Sequence, residues 1–267
     1  MRKLKKLLTI FCALATVVAL SACARQKKQN SWPRIQQQKK IVVGLDDSFV
    51  PMGFRAKSGK LEGYDIDLAR ALFKHYGVKV SFQPIDWSMK ETELRNQTID
   101  LIWNGYSVTP ERKKQVRFSE PYLKNHQVLV TKRSSNITSF ADMKGKTVGA
   151  QTGSSGAADI DGSPKLLKNI VKGKQPILYD TFNDAFIDLN ANRIQGLIID
   201  EVYGRYYIAH QKDPKAYRVT EGSFPAEAFA IGMRKSDTEL DQKINSELNA
   251  MRKDGEIAKI QKKWFGN

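Results

Sequence analysis

The sequence is poor in cysteine and histidine, and both scarcities exclude kinds of chemistry. Its two cysteines are Cys12 and Cys23, and its histidines, His75, His126 and His210, lie far apart without the spacing of a metal-binding motif. The sequence also has no Walker loop, no dinucleotide-binding glycine fingerprint and no serine-hydrolase elbow. We therefore expect no disulfide framework, no metal site and no cofactor.

Acidic residues are missing from the first 40 positions. The chain has 44 Lys and Arg against 28 Asp and Glu, a net charge of +16, and ten of the basic residues lie in residues 1–40. Residues 41–267 therefore keep only +6. A mildly basic body carries no strong electrostatic footprint for nucleic acid, so we expect no nucleic-acid partner.

Residues 1–22 have the pattern of a signal peptide. Basic residues precede an apolar run over 7–20, which is shorter than the roughly 18 residues expected of a spanning helix. A transmembrane segment is thus the less favoured alternative. The run closes with Leu-Ser-Ala-Cys, which resembles the lipobox of bacterial lipoproteins. This resemblance implies that Cys23 is lipidated and that the protein is extracytoplasmic, anchored to the outer face of the bacterial cell membrane.

Residues 23–40 are predicted to be the lipidated cysteine and a flexible basic tether. They are polar and almost free of apolar side chains, so they cannot bury enough surface to offset the entropy of ordering the chain. Their six positive charges either contact anionic lipid headgroups or are simply solvated.

From residue 41 onward, strand-like apolar runs alternate with helical patterns. Strands are predicted at 41–45, 78–82, 100–103, 128–131, 147–150 and 196–199. Helical faces are predicted from Ile66 to Tyr76, from Phe182 to Leu189, and from Leu240 along one closing helix that ends near Trp264. This alternation predicts two α/β lobes with right-handed crossover connections.

A glycine- and serine-rich loop, Gly153-Ser154-Ser155-Gly156, follows the strand predicted at 147–150. Such a loop at the start of a helix suits the binding of an anion by free backbone N–H groups. Residues 159–162 read Asp-Ile-Asp-Gly and lack the further acids of a calcium loop, so we expect a turn there.

Five motifs occur in order along the body. They are GLDDSFVP from Gly44, GYDIDL from Gly63, DL at Asp100 leading to TPER from Thr109, FS at Phe118 and KWFG from Lys263. Together they resemble the polar amino-acid-binding proteins of ABC importers, of the glutamine-binding and lysine/arginine/ornithine-binding type. The resemblance covers essentially residues 40–266.

The resemblance implies an α/β fold of two lobes, of the type II periplasmic-binding-protein kind, in which each lobe is a mixed sheet flanked by helices. Carried onto this chain, lobe 1 is residues 41–122 plus 229–267, lobe 2 is 127–224, and two hinge strands are 123–126 and 225–228. The implied function is capture of a polar L-amino acid (glutamine, arginine, lysine, histidine or cystine). The implied partners are the permease and ATPase subunits of an ABC importer, with the receptor acting as a monomer that catalyses no reaction.

Two charged residues carry the expected recognition of the amino acid. A free amino acid has a carboxylate and an ammonium, and burying both requires charged or hydrogen-bonding partners. The resemblance assigns the carboxylate to Arg112, because a guanidinium can donate two parallel hydrogen bonds to it. It assigns the ammonium to Asp200, which follows a predicted strand; an N-cap of the next helix is the alternative or additional role.

The other expected ligand-binding residues lie at strand ends and helix starts. Backbone and hydroxyl hydrogen bonds are expected from Gly105, Ser107, Thr109, Ser154 and Ser155. The ligand side chain is expected between two aromatic rings and beside the specificity positions, namely Phe49, Trp87, Asp46, Asn104 and Gln151. Among these, Trp87, Asn104 and Gln151 depart from the residues usual in the family. Asp46 should favour a ligand whose side chain donates hydrogen bonds, and disfavour glutamate and aspartate.

Two other functions are compatible with this fold. A cyclohexadienyl-dehydratase-like enzyme would need a general acid in the cleft above a larger dicarboxylate ligand. A ligand-sensing module of a signalling system would normally continue into a transmembrane helix and a cytoplasmic domain, whereas this sequence ends at Asn267.

Overall fold

The structure is a computed structural model that describes residues 30–222 and 224–266. Lobe 1 is built on a five-stranded sheet of order β5-β1-β6-β14-β7. These strands are β1 (Lys40–Leu45), β5 (Lys79–Pro84), β6 (Leu101–Ile102), β7 (Arg117–Phe118) and β14 (Gly232–Met233). β1 pairs in parallel with β5 and β6, while β14 runs antiparallel to β6 and β7. The sheet is mixed, as expected.

Helices and a small sheet complete lobe 1. A three-stranded antiparallel sheet is formed by β2 (Ser48–Phe49), β3 (Gly53–Arg55) and β4 (Leu61–Glu62). The helices are α2 (Tyr64–His75), α3 (Lys90–Arg95) and α4 (Pro110–Gln115). In α2 the apolar residues recur at helical spacing on the buried face, and Gly77, with φ +62°, follows the end of the helix.

Lobe 2 has a sheet of order β10-β9-β11-β8-β12. Its strands are β8 (Leu123–Lys132), β9 (Val148–Gln151), β10 (Ile177–Tyr179), β11 (Gly196–Asp200) and β12 (Tyr217–Thr220). Its helices are α5 (Ser155–Gly162), α6 (Phe182–Asn190) and α7 (Glu201–Ala209). β9 and β11 are parallel neighbours, so their carboxyl ends, and the helices that follow them, lie at one edge of the sheet.

Two antiparallel strands connect the lobes. The first four residues of β8 pair with β13 (Ala226–Phe229), in a register that sets Leu123 against Phe229 and His126 against Ala226. This pairing lies within one residue of the predicted hinge segments, 123–126 and 225–228. That it acts as a hinge remains a prediction.

The N-terminal part of the described chain corrects the tether prediction. Helix α1 (Trp32–Gln38) occupies positions that were expected to be flexible, and β1 begins at Lys40. Trp32 and Ile35 are 3% and 0% exposed, and the Trp32 ring packs edge-on against Tyr76 at 5.0 Å. Two apolar side chains on one face of a short helix suffice to dock it. The tether prediction is therefore wrong for 32–40. The predicted signal peptide, Cys23 and most of the rest of the tether lie outside the described residues.

The C-terminal segment also differs from the prediction. It forms two helices, α8 (Thr238–Lys253) and α9 (Glu256–Phe265), rather than one, because Gly255 takes a left-handed conformation between them. Trp264 Nε1 donates to Asp67 Oδ2 at 2.9 Å. This hydrogen bond links the KWFG motif of α9 to the GYDIDL motif of α2. Among the described residues, no helix is both long and apolar enough to cross a membrane.

Candidate functional site

The predicted site residues meet where the two lobes face each other. Lobe 1 contributes residues that follow β1, β5 and β6, and lobe 2 contributes the carboxyl ends of β9 and β11 and the start of α5. Within the described residues, hydrogen bonds join the lobes between Asp46 and Gln151, between Gly153 and both Arg112 and Lys90, and between Ser107 and Ser155. The structure therefore has the lobes closed on one another.

Arg112 is buried at the interface. Its Nη1 donates to the carbonyl of Ser107 at 2.9 Å and its Nη2 donates to the carbonyl of Gly153, in lobe 2, at 3.0 Å. The guanidinium lies over the Tyr106 ring, 4.6 Å from its centroid. Thr109 caps α4 by accepting from the Arg112 backbone N–H at 3.2 Å, which fixes the start of the helix that carries the arginine. These two hydrogen bonds use two of the five N–H donors of the guanidinium.

Lys90 is a second buried cation that the sequence reasoning missed. It is 3% exposed, and its Nζ donates to the carbonyls of Trp87 and Gly153, both at 2.9 Å. Burial, followed by the nearby charge of Arg112, lowers its pKa to about 8. The Gly153 carbonyl of lobe 2 is thus held between two cations of lobe 1.

Asp65 fixes the loop after β6. It is buried in the first turn of α2, and its Oδ2 accepts from the Gly105 N–H at 2.8 Å and from the Tyr122 hydroxyl at 2.9 Å. Gly105 has φ +58°, and a Cβ there would lie 2.8 Å from a ring atom of Phe49. Burial raises the pKa of Asp65 to about 7. The GYDIDL motif therefore holds the loop after β6 in place.

The three residues predicted to set specificity, Asp46, Asn104 and Gln151, form one buried cluster. Gln151 Nε2 donates to Asp46 Oδ2 at 2.7 Å, and Asn104 Oδ1 accepts from the Asp46 N–H at 3.1 Å. Burial raises the pKa of Asp46, against hydrogen bonds from Ser48 and Gln151. Asn104 Nδ2 is buried and finds no hydrogen-bond partner within the described structure. A Cβ added at Gly53 would lie 2.7 Å from this nitrogen, so the amide group packs against the backbone of β3.

The two predicted aromatic residues lie in different ring clusters. Phe49 packs against Phe182 and Tyr203 of lobe 2, with ring centroids 5.9 and 5.2 Å apart. Trp87 packs edge-on against Tyr106 at 5.9 Å. Both are nearly buried, at 5% and 7% exposed. Their role as the two walls around a ligand side chain stays a prediction.

The glycine- and serine-rich loop opens α5, as expected. Ser154 is the N-cap and accepts from the Ala157 N–H at 3.1 Å. The Ser155 hydroxyl donates to the Ser107 hydroxyl across the cleft at 3.2 Å.

The turn predicted at 159–162 is wrong, because these residues belong to α5. Ser154 caps the start of this helix, and Ile160 is buried on its inner face.

Asp200 ends β11 and is buried. Its Oδ1 accepts from Asn125 Nδ2 at 2.6 Å and from Gln127 Nε2 at 2.7 Å. It occupies the N-cap position of α7 without a side-chain capping hydrogen bond, so its side chain faces the cleft groups instead. Burial and the negative charge of Glu227 raise its pKa to about 7.

This arrangement of one cleft between two α/β lobes, with a buried arginine and a buried aspartate on its walls, can be compared with known proteins. The family model of the bacterial extracellular solute-binding proteins, family 3, matches residues 41–267. The chain belongs to this family.

Relatives of the family 3 chain include proteins named for amino acids. The arginine-binding extracellular protein ArtP of Bacillus subtilis is 30% identical over 98% of each chain. A solved ABC uptake transporter substrate-binding protein from Streptococcus pneumoniae with bound histidine is 52% identical, covers 89% of this chain and 97% of its own, and superposes with a TM-score of 0.88. A polar amino-acid-binding protein from Streptococcus thermophilus is 51% identical over 91% of this chain and 92% of its own, with a TM-score of 0.58.

Four polar residues of the site of this family 3 protein were not found from the sequence. They are Lys90, Asn125, Gln127 and Glu227. The one signal available was Glu227, an acid in the otherwise apolar run Ala226 to Ile231. His126, Glu201 and Glu221 lie close enough together to hold a metal ion. Arg205 forms ion pairs with both glutamates, however, so their negative charge is already balanced by a side chain of the protein.

Proposed function

We propose that this family 3 protein is an extracytoplasmic receptor that captures a polar L-amino acid between its lobes and delivers it to an ABC importer. The observation that carries the proposal is the separation of charge across one closed cleft. Arg112 and Lys90 lie on the lobe 1 side, and Asp200 lies at the carboxyl end of a lobe 2 strand. An α-carboxylate and an α-ammonium fit such a pair of walls, because each finds an opposite charge.

The ligand is an amino acid whose side chain donates hydrogen bonds, and L-histidine is the first candidate. Asp46 presents a buried carboxylate, and glutamate or aspartate placed there would bring a second negative charge. An imidazole, guanidinium, ammonium or amide can donate to it. Histidine ranks first because the relative that is 52% identical has histidine bound, and arginine follows because relatives named for arginine match along most of the chain.

Closure of the lobes on the ligand is the second part of the proposal. The hydrogen bonds of Gln151, Arg112 and Lys90 all cross between lobes. Two relatives of nearly equal identity superpose with TM-scores of 0.88 and 0.58, a difference that a changed lobe arrangement would produce. A ligand that touches both lobes binds the closed form more tightly and shifts the population towards it. The closed shape then signals to the permease and ATPase.

The charges of the cleft favour a receptor over a dehydratase-like enzyme. A dicarboxylate substrate would bring two negative charges into a site that already holds the buried carboxylates of Asp46 and Asp200. The cations that the structure places at that site are Arg112 and Lys90. A zwitterion or a cationic amino acid meets the smaller electrostatic penalty.

We also propose that the mature protein is a monomer held at the outer face of the cell membrane by lipid on Cys23. The lipobox-like sequence before Cys23 supports this attachment. Cys23→Ser should release the protein from membranes into the soluble fraction, measured by immunoblotting of fractionated cells. Ala24→Ser serves as the matched control, and continued membrane retention of Cys23→Ser would refute lipid anchoring.

The test of ligand binding is a thermal-shift panel on protein that lacks residues 1–23. The panel contains the twenty L-amino acids, ornithine, cystine and prephenate. A ligand at a hundred times its Kd adds about 2.7 kcal/mol to the free energy of unfolding, which raises Tm visibly. We expect a rise with histidine or another side-chain donor and none with glutamate. A rise with prephenate alone would overturn the receptor proposal.

A further inference from the structure

A second carboxylate lies beside Asp200, and it comes from the connection between the lobes. Glu227 is in β13, directly opposite Asn125 of β8. Its Oε2 accepts from Ser107 Oγ of lobe 1 at 2.8 Å and lies 3.2 Å from Ser155 Oγ of lobe 2. The same oxygen accepts from the amides of Asn125 and Gln127, both at 3.2 Å. One oxygen therefore contacts both lobes and the connecting strands.

The same two amides also bind Asp200. Asn125 Nδ2 and Gln127 Nε2 each donate to Asp200 Oδ1 as well as to Glu227 Oε2. The two carboxylates are thus adjacent, bridged by two neutral donors. Like charges so placed cannot both ionise freely unless a cation joins them.

The charged groups around the pair leave an excess of negative charge. Arg112 of α4 is the cation that acts on Asp200, and Asp159 of α5 adds a third acid, whose pKa is raised to about 7 by burial and by Glu227. The described groups that hydrogen-bond to the pair are neutral hydroxyls and amides. No donor within residues 30–222 or 224–266 hydrogen-bonds to Glu227 Oε1 or Asp200 Oδ2. Each carboxylate therefore has an oxygen to offer to a ligand.

We propose that Glu227 is a second ligand-binding carboxylate, which together with Asp200 holds the α-ammonium of the bound amino acid. The proposal rests on the function proposed above. An ammonium has three N–H donors and one positive charge, enough to bridge both free oxygens and to favour the ionised form of Asp200. Without the ligand, Asp200 keeps a proton below about pH 7, because burial and the neighbouring charge of Glu227 raise its pKa to about 7. Binding of the amino acid then displaces this proton.

The displaced proton makes affinity depend on pH. Asp200 has a pKa of about 7 in the empty site and is ionised in the complex, so binding is weakened below that pH. For a ligand whose side chain does not titrate between pH 5.5 and 8, we expect Kd at pH 5.5 to be about 30-fold higher than at pH 8, because its ammonium stays protonated throughout. For histidine, whose imidazole titrates in this range, comparison of wild-type protein with Glu227→Gln at each pH removes the contribution of the imidazole itself. At pH 6.5 a group of pKa about 7 is roughly three-quarters protonated, so binding should release about three quarters of a proton.

The experiment is isothermal titration calorimetry of wild-type protein and Glu227→Gln with the amino acid found in the thermal-shift panel. Titrations at pH 5.5, 6.5 and 8 give Kd, and buffers of different ionisation enthalpy give the number of protons released. For Glu227→Gln we expect Kd at pH 8 to rise about tenfold and the pH dependence to fall below about fivefold. Glu221→Gln, an exposed glutamate near the same strands, should leave both unchanged.

A second variant keeps the test decisive if Glu227→Gln folds poorly. Glu227→Asp preserves the charge but withdraws it by one methylene, so it should weaken binding while keeping the pH dependence. If wild-type protein binds an amino acid and Glu227→Gln has the same Kd and proton release, the role of Glu227 is overturned and the receptor function stands. If wild-type protein binds no amino acid, both proposals are overturned.

Discussion

Arg112→Ala tests the central charge of the cleft. Two charge-assisted hydrogen bonds to a ligand carboxylate contribute about 1.5–3 kcal/mol each, so their loss should weaken binding by about 3–6 kcal/mol, or roughly 10²- to 10⁴-fold in Kd. The variant also loses the hydrogen bond to Gly153 that closes the lobes. The fold should persist, because the other contacts of this side chain are the Ser107 carbonyl and the Tyr106 ring. Tm should fall by a few degrees.

The assay is calorimetric titration with the identified amino acid, alongside thermal unfolding without ligand. Lys113→Ala, which truncates the exposed neighbour on α4, is the matched control and should bind like wild type. Arg112→Lys should fall between the two, because a lysine keeps the charge but not the paired hydrogen bonds. Arg112→Ala binding within threefold of wild type would remove this guanidinium from ligand recognition and refute the reasoning.

Three further variants test other parts of the structure. Trp32→Ala should destabilise the protein by about 3–5 kcal/mol and so lower its Tm, because Trp32 is buried. Gln36→Ala, on the exposed face of α1, should leave Tm unchanged. If the two variants have the same Tm, the tether prediction stands after all. Asp65 is protonated in the folded state up to about pH 7 but ionises near pH 4 when unfolded, so its contribution to stability is full below pH 4 and is lost as pH rises through 7. Asp65→Asn should therefore flatten the decline of Tm between pH 5 and 8, and an unchanged profile would contradict this origin. Gln151→Ala leaves buried Asp46 without its donor from lobe 2, so Kd should rise by about one order of magnitude in calorimetry, and unchanged Kd would refute a closing role.

Much of the fold could be predicted because its signals are local. The helical spacing from Ile66 to Phe73, with Gly77 after it, marks α2 directly, and the strand before Asp200 is a continuous apolar run. The family motifs then ordered these elements into two lobes. The sequence also held a signal for α1, since Ser31 precedes Trp32-Pro33 with Ile35 at helical spacing, but the surrounding basic and glutamine residues obscured it.

The polar partners of the site could not be predicted in the same way. Lys90 is a surface-like residue by sequence, and only the approach of lobe 2 brings the Gly153 carbonyl to it. Gln127 lies in a strand whose neighbours are apolar, and its importance arises from β11 and β13 bringing two carboxylates to its amide. Such contacts join residues about 60 to 100 positions apart. Residue type and spacing along the sequence do not predict such long-range contacts.

Helix α1 attaches the N-terminal end of the described chain to lobe 1. Ser31 N–H donates to Asp237 at 2.8 Å, and Arg34 pairs with Asp100, so the chain enters the fold through lobe 1 alone. Any restraint on the residues before Asn30 is therefore transmitted to lobe 1. Under the proposed attachment through Cys23, lobe 1 is the lobe held at the membrane, and lobe 2, linked to it by β8 and β13, is the lobe free to move.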